Sequence, residues 1–311
     1  NVIVHVKDQG AIINEPSVVA IHQATNEVLA IGEEAHQMVG RTPGNIVVER
    51  PLENGVIADF DITEAMLTHF MKKLDIGGFF AKPEVLICCP TNITSVEQKA
   101  IRQAAEQAGA SKVYLEEEPK VAAVGAGMEI FEPSGNMIID IGGGTTDVAV
   151  LSMGDIVTSE SLKVAGDQFD RDVTNYVKDK YKLLIGERTA ENIKTTVGTV
   201  LSEELNESLD ISGRDMVTGL PKPQTITSEE VEEALMESVK LIVQSAKDVL
   251  EKTPPELSAD IIDRGVFLTG GGALLHGLDH LLSQELLVPV FVAEDPLGCV
   301  GRGTEMLLSR N

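Results

Sequence analysis

Two glycine triplets, each at the end of an apolar run, constrain this 311-residue chain more than any other feature. The first stands in Asp140-Ile141-Gly142-Gly143-Gly144-Thr145-Thr146-Asp147, between the strand-like runs Asn136–Asp140 and Val148–Leu151. The second, Gly270-Gly271-Gly272-Ala273, follows Val266-Phe267-Leu268 and precedes a helical stretch. Glycine opens backbone angles closed to other residues and lets N–H groups approach an anion without a Cβ in the way. Taken alone, the first loop fits a phosphate cradle or a flexible hairpin. The second fits a phosphate or nucleoside site at a helix start, or an ordinary strand-to-helix turn. Together they favour a nucleotide held between two lobes. Neither is a Walker loop, because no Gly-Lys-Ser/Thr occurs, and the first leads into a strand where the dinucleotide pattern needs a helix.

The length suggests two domains. With 43% hydrophobic residues there is material for real cores, and with aromatics at 4% and no Trp those cores are aliphatic. The formal charge of −24 repels nucleic acid and anionic lipid head groups, so nucleic acid is excluded as a partner and any membrane contact is local and hydrophobic. Three cysteines, Cys88, Cys89 and Cys299, make no disulfide framework and fit a reducing cytosol. Cys88 and Cys89 sit in the apolar run Val85–Pro90 and read as buried strand residues. No apolar run approaches the ~20 residues that span a bilayer, and no signal peptide is visible.

Along the chain, alternation predicts hairpins over Val2–Val6 with Ala11–Ile13 and over Val18–Ile21 with Val28–Ile31. Residues 32–55 are mixed. A helix is expected at 62–74, capped by Asp61 and Glu64, then a strand at 84–89, a helix from Ser95 to Ala108 and a strand from Lys112 to Leu115. This order argues for a parallel sheet with crossover helices. After the first glycine loop come strands over Val148–Leu151 and Asp155–Lys163. Helices follow at 168–181, 189–206 and 228–252, the last opened by the capping box Thr227-x-x-Glu230. A strand at Gly265–Leu268, a short helix and a strand at Val288–Val292 complete the pattern.

The segment Asn1–Gly10 resembles Asp147–Gly154, each leading to a second strand and a Val-Ala pair (Val19-Ala20 and Val164-Ala165). A strand and a glycine loop precede the later copy and not the earlier one. The comparison implies that about a dozen residues, a strand and a phosphate loop, are missing ahead of Asn1, unless two hairpins look alike by chance. Glu116-Glu117-Glu118-Pro119 is a solvated turn or places a carboxylate where it can orient water at a helix start. Phe79-Phe80, between Gly77-Gly78 and Lys82-Pro83, is a buried loop or an apolar wedge for a membrane. His276 and His280, four apart on an expected helix, lack a third ligand and read as helix residues rather than a metal site.

These motifs stand in a known order. The strand, Asp140-x-Gly142-Gly143-Gly144-Thr145-Thr146-Asp147, and Val164-Ala165-Gly166-Asp167-Gln168-Phe169-Asp170 resemble the second phosphate motif of the actin, heat-shock chaperone and sugar kinase superfamily. Glu118-Pro119 with Ala122-Ala123 resembles its connecting helix, and Leu268–Ala273 its adenosine motif. Asn14–Ala20, Glu117–Gly127, Glu191-Asn192-Ile193-Lys194 and Gly301-Arg302-Gly303 are similar to signatures of the MreB family of bacterial actins.

The resemblance implies an α/β, actin-like (ribonuclease-H-like duplicated) fold: two lobes, each with a small inserted subdomain, around a nucleotide cleft. The expected divisions are 1–19, 53–132 and 300–311 for the first core, 20–52 for its insertion, 133–168 and 233–299 for the second core, and 169–232 for its insertion. It implies ATP or ADP with Mg2+ as cofactors, and Glu118 and Asp140 as the catalytic carboxylates, Asp140 acting on the metal through water. The implied cofactor-binding residues are Asn1, Gly142, Gly143, Gly144, Thr145, Gly166, Asp167, Glu191, Asn192, Ile193, Lys194, Gly271, Gly272, Ala273 and Leu274. Read without the resemblance, Glu191 and Lys194 are an ordinary surface ion pair one turn apart. The implied role is a homopolymer with paired protofilaments and slow ATP hydrolysis coupled to polymerisation. It lies in the cytoplasm against the inner membrane, touches lipid through Phe79 and Phe80, and works with the cell-wall elongation machinery to set rod shape. An ATPase domain of chaperone or sugar-kinase type is the alternative.

Overall fold

The structure is a computed structural model and describes residues 2–6, 12–53, 56–57, 59–73, 83–89, 91 and 93–310. Asn1, Phe79 and Phe80 lie outside the described residues. The chain divides into two compact units, Asn1–Met128 with Gly298–Asn311, and Glu129–Leu297.

In the first unit, strands β1 (Val2–Val6) and β2 (Ile12–Glu15) form an antiparallel hairpin. Strands β3 (Val19–His22), β4 (Glu27–Ile31) and β5 (Ile46–Glu49) build a separate three-stranded sheet in the order β4-β3-β5, with the short helix α1 (Glu33–Gln37) after β4. A two-stranded ribbon, β6 (Leu52–Glu53) with β7 (Val56–Ile57), leads into helix α2 (Phe60–Lys73). Its cap is Asp59, whose Oδ1 accepts from the Ile62 N–H at 3.0 Å, and not the expected Asp61 with Glu64, because the helix begins before residue 62. Strand β8 (Glu84–Cys89), helix α3 (Ser95–Gln107) and strand β9 (Lys112–Glu117) form the expected crossover, with β8 and β9 parallel. A capping box of Thr94 and Glu97 opens α3. The main sheet runs β2-β1-β8-β9 and is covered by α2 and α3 through Met66, Phe70, Ile101 and Ala104. Cys89 is buried there, and burial first, then the Glu118 carboxylate, pushes its thiol up to about 12, as suits a packing residue.

Helix α4 (Glu118–Gly125) follows β9 directly. The C-terminal helix Cys299–Arg310, which carries the Gly301-Arg302-Gly303 motif, crosses it at backbone contact. A Cβ on Gly125 would stand 1.6 Å from the Cys299 carbonyl oxygen, and one on Gly303 1.8 Å from that of Val121. Arg302 Nε donates to the Gly125 carbonyl at 3.1 Å.

In the second unit, β10 (Asn136–Ile141), β11 (Thr146–Ser152) and β12 (Asp155–Leu162) form an antiparallel meander. Then come α5 (Gly166–Tyr181), β13 (Leu183–Leu184) and α6 (Glu187–Val197). The expected helix over 189–206 stops at Val197. The chain at 199–200 bonds instead to residue 276, and those tertiary bonds outcompete further helix. Residues 207–227, for which the sequence offered no element, form the hairpin β14 (Ser208–Asp215) with β15 (Pro221–Thr227), joined to β13. Helix α7 (Ser228–Lys252) opens on the anticipated box of Thr227 and Glu230. Helix α8 (Pro255–Arg264), also unforeseen, precedes β16 (Val266–Thr269), a 3₁₀ turn at Gly271–Leu274, α9 (Leu278–Leu286) and β17 (Val290–Val292).

The central sheet of this unit runs β12-β11-β10-β16-β17, with β10, β16 and β17 parallel. All six residues of β10 are buried, the pattern of a strand covered on both faces. The hairpins β1–β2 and β11–β12 hold equivalent places in the two sheets, as the internal similarity implied. In the first sheet β8 pairs antiparallel with β1, as β10 pairs with β11 in the second. Among the described residues, no helix is long and apolar enough to cross a membrane.

The α4 crossing generates a prediction. Gly125→Ala or Gly303→Ala forces two helix backbones apart and is expected to cost about 3 kcal/mol. Urea titration followed by circular dichroism checks it, and a midpoint equal to that of the unmodified protein contradicts the crossing.

Candidate functional site

The first glycine loop is the tight connection between β10 and β11. Ile141 pairs with Thr146, and the Gly142 N–H donates to the Thr145 carbonyl at 3.0 Å. The Gly142 carbonyl accepts from the Gly166 N–H at 3.0 Å and the Gly143 carbonyl from the Asp167 N–H at 2.8 Å. In a trans peptide the C=O and the following N–H point in opposite directions. Anchoring these two carbonyls to the first turn of α5 therefore aims the N–H groups of Gly143 and Gly144 away from it, the geometry of an anion nest. Gly143 is exposed, whereas Thr145 is buried. Gly166 is held close: a Cβ there would lie 3.3 Å from the Gly142 oxygen. Thr146 ties the same turn by donating to the Val164 carbonyl at 2.6 Å.

Lys194, on α6, reaches this turn. Its Nζ lies 2.8 Å from Asp170 Oδ1 and 3.3 Å from the Gly166 carbonyl oxygen. Burial pushes the Asp170 carboxyl up to about 6, outweighing the ammonium beside it. Glu191 lies one turn before Lys194, half-buried, and also disfavours ionisation of Asp170. Asn192 is exposed and accepts from the Thr196 hydroxyl at 3.2 Å. Ile193 is fully buried in the core, so its side chain packs α6 onto the unit and cannot face a ligand.

The second loop comes to the first through the sheet. Strand β16 is parallel to β10 with Asp140 opposite Thr269, so both glycine runs leave adjacent strands at the same level. Ligands of open α/β sheets gather at such carboxyl ends. Thr269 Oγ1 donates to Asp140 Oδ1 at 3.0 Å, with both side chains buried. Gly270 has φ 81°, and a Cβ on it would stand 2.3 Å from the Ile141 carbonyl oxygen. A Cβ on Gly272 would stand 2.1 Å from Ile141 Cγ2. The turn presents Gly271 and Leu274 to solvent while Ala273 is buried in the core. Glu118, in the other unit, is half-buried at the head of α4 with Pro119 in the first turn. Its neighbour Glu116 pairs with Lys120 at 3.4 Å.

The MreB/Mbl protein family matches residues 1–311. The chain is 69% identical over 308 residues to the cell shape-determining protein Mbl of Bacillus cereus, covering 99% of this chain and 92% of that one. It is 49% identical over 308 residues to the cell shape-determining protein MreB of Escherichia coli, covering 97% and 89%. The chain belongs to the MreB/Mbl family. A crystal structure of MreB 5 of Spiroplasma citri bound to AMPPNP superposes with a TM-score of 0.94 at 40% identity, covering 99% of this chain and 92% of that one. The MamK double helical filament, at 21% identity and a TM-score of 0.82 over 97% and 94% of the two chains, shares the actin-like fold.

Several residues of this MreB/Mbl chain escaped the sequence reading. Thr269 was visible only as part of a motif, and its partner was set by strand register. Asp170 ends the Val164–Asp170 motif, and nothing local assigns it a role because its pairing with Lys194 spans two helices. His276 does not share a helix with His280, since α9 begins at Leu278. Its Nδ1 lies 2.8 Å from Thr199 Oγ1.

Two outcomes are expected. Thr269→Val strips a hydrogen bond from a buried carboxylate and should cost about 1–3 kcal/mol in chemical denaturation. Asp170 has a folded pKa near about 6 against an ordinary 3.8, so its contribution is fully present at acid pH and is lost as pH rises through about 6. Asp170→Asn should therefore gain on the unmodified protein between pH 4 and 6 and run parallel to it above 7 (roughly, by the linkage relation). Parallel curves throughout would refute the assignment.

Proposed function

We propose that this MreB/Mbl family member is a filament-forming bacterial actin that binds ATP and ADP with Mg2+ and sets cell shape. The observation that carries the reading is the in-register pairing of β10 and β16, which places two glycine loops side by side above a buried Asp140–Thr269 hydrogen bond. The nucleotide-bound MreB 5 and the cell shape-determining names of the relatives support it. The same comparisons favour the filament over a chaperone-type or sugar-kinase-type ATPase domain.

In this reading the Gly143 and Gly144 amides and the Thr145 hydroxyl hold the β- and γ-phosphates. Gly166 and Asp167 line the turn beside them, Glu191, Asn192 and Lys194 flank the ribose and base, and Gly271 to Leu274 pack on the adenosine. Residue 193 contributes through its backbone and its packing. The carboxylate oxygens of Asp140 are hard donors suited to the water shell of Mg2+, which would neutralise phosphate charge when bound. Glu118 is proposed to orient the hydrolytic water, which its place in the first turn of α4 supports. Hydrolysis is slow and coupled to assembly, with ATP favouring the polymerising state by binding it more tightly. We further propose, from the sequence, that Phe79 and Phe80 contact the inner face of the membrane. A two-residue wedge is weak alone and is multiplied along a polymer. Paired protofilaments and the wall-elongation machinery complete the proposed partners.

ATP-dependent pelleting and electron microscopy of the full-length protein test this. A carboxylate in the phosphate cradle, Gly143→Asp, should weaken ATP binding by at least about tenfold and abolish pelleting while the protein still melts cooperatively. Phe79→Ala with Phe80→Ala should leave filaments intact and remove their flotation with liposomes. Nucleotide-independent pelleting of the unmodified chain would defeat the ATP reading, and flotation unchanged by the Phe variant would defeat the membrane contact.

A further inference from the structure

Helix α6 is fastened twice at its C-terminal end. In its last turn Lys194 bonds the Gly166 turn beside the first glycine loop, and just beyond its end the chain is latched to the second. Gly198 leaves the helix with extended backbone, and a Cβ on it would stand 2.1 Å from the Lys194 carbonyl oxygen. Thr199 is completely buried and bridges to His276. The Val200 N–H donates to the His276 carbonyl at 3.0 Å. Thr199 Oγ1 accepts from the Leu201 N–H at 2.8 Å and lies 2.8 Å from His276 Nδ1. The Thr199 hydroxyl thus gathers the Leu201 N–H, the His276 ring nitrogen and, at 3.4 Å, the His276 carbonyl oxygen to which it donates. Leu201 packs on Gly277, where a Cβ would come within 2.7 Å of its side chain.

The Gly271–Leu274 turn is thereby pinned from both sides. Upstream, the Gly270 N–H donates to the Pro296 carbonyl at 3.0 Å. Downstream, residue 276 is held by the latch, and only this second pin leads to α6. A glycine-rich turn left free loses more conformational entropy on ordering than other sequences.

We infer that Thr199 and His276 are positioning residues for the nucleotide site: they hold Glu191 and Lys194 of α6 in register with the Gly271–Leu274 turn before ligand arrives. This rests on the nucleotide reading above. Groups that orient a binding shell act through preorganisation, so their loss appears in affinity as well as in stability.

Thr199→Val keeps the shape and removes the hydroxyl, whereas Thr199→Ser retains it. His276→Leu removes the ring partner, whereas His276→Asn supplies an amide group near the place of Nδ1. Isothermal titration of the full-length proteins with ADP and with AMPPNP should show Thr199→Val and His276→Leu weakened about tenfold, and the double variant no weaker than the worse single. Thr199→Ser and His276→Asn should stay within about twofold of the unmodified protein. Hydrogen exchange without nucleotide should speed up at Gly271–Leu275 in the two disabling variants. Unchanged affinities with a lowered melting temperature would reduce the latch to a structural fastening and overturn the inference. An unmodified protein that binds neither nucleotide would overturn the site reading itself, an outcome told apart because failure of the latch leaves that binding intact.

Discussion

The pairing of β10 with β16 governs the second unit. Parallel strands in register put equivalent residues at one level, and here that level carries Asp140 and Thr269. A buried carboxylate is costly without donors. The Thr269 hydroxyl supplies one, and the two side chains lock the register that a one-residue slip would break, since a slip turns every side chain to the other face. Everything proposed for the phosphate and adenosine subsites depends on these two strand ends staying level, because each glycine loop starts one or two residues beyond them.

Glycine does two separate kinds of work here. At Gly143 and Gly144 it leaves N–H groups approachable. At Gly125, Gly270, Gly272 and Gly303 it lets backbone meet backbone or core, where a Cβ would fall well inside contact distance. The first kind supports ligand binding, and the second fixes the elements on which binding depends. Helix α4, which begins with Glu118, is set by the second kind, through its crossing with the C-terminal helix.

The region between the meander and β16 is where local and tertiary forces part company. Helix α6 stops after Val197, where Gly198 and the bonds from 199–200 to 276 take over. Lys194 and Asp170 form an ion pair in a setting where burial still raises the carboxyl, so the pair serves placement more than stability. Tyr181, Lys180 and Glu230 form a comparable polar cluster at the start of α7, where Glu230 also completes the capping box.

The alternating and apolar runs were legible in the chain: the β8–α3–β9 crossover, the β10–β12 meander, α7 with its box and the strand before the second glycine loop. Local propensity and short-range capping decide such elements, and the glycine spacing together with the family resemblance pointed to nucleotide chemistry. Hidden from the chain were the β14–β15 hairpin, the end of α6, the Asp59 cap, the burial of Ile193, and the partners of Asp170, Thr199 and His276. Each depends on residues far apart in sequence, such as 170 with 194 or 199 with 276. The sequence by itself determined which segments carry backbone able to cradle an anion. Only the tertiary structure decided which of them lie side by side, because strand register and helix termination are settled by long-range hydrogen bonds and packing that no local pattern encodes.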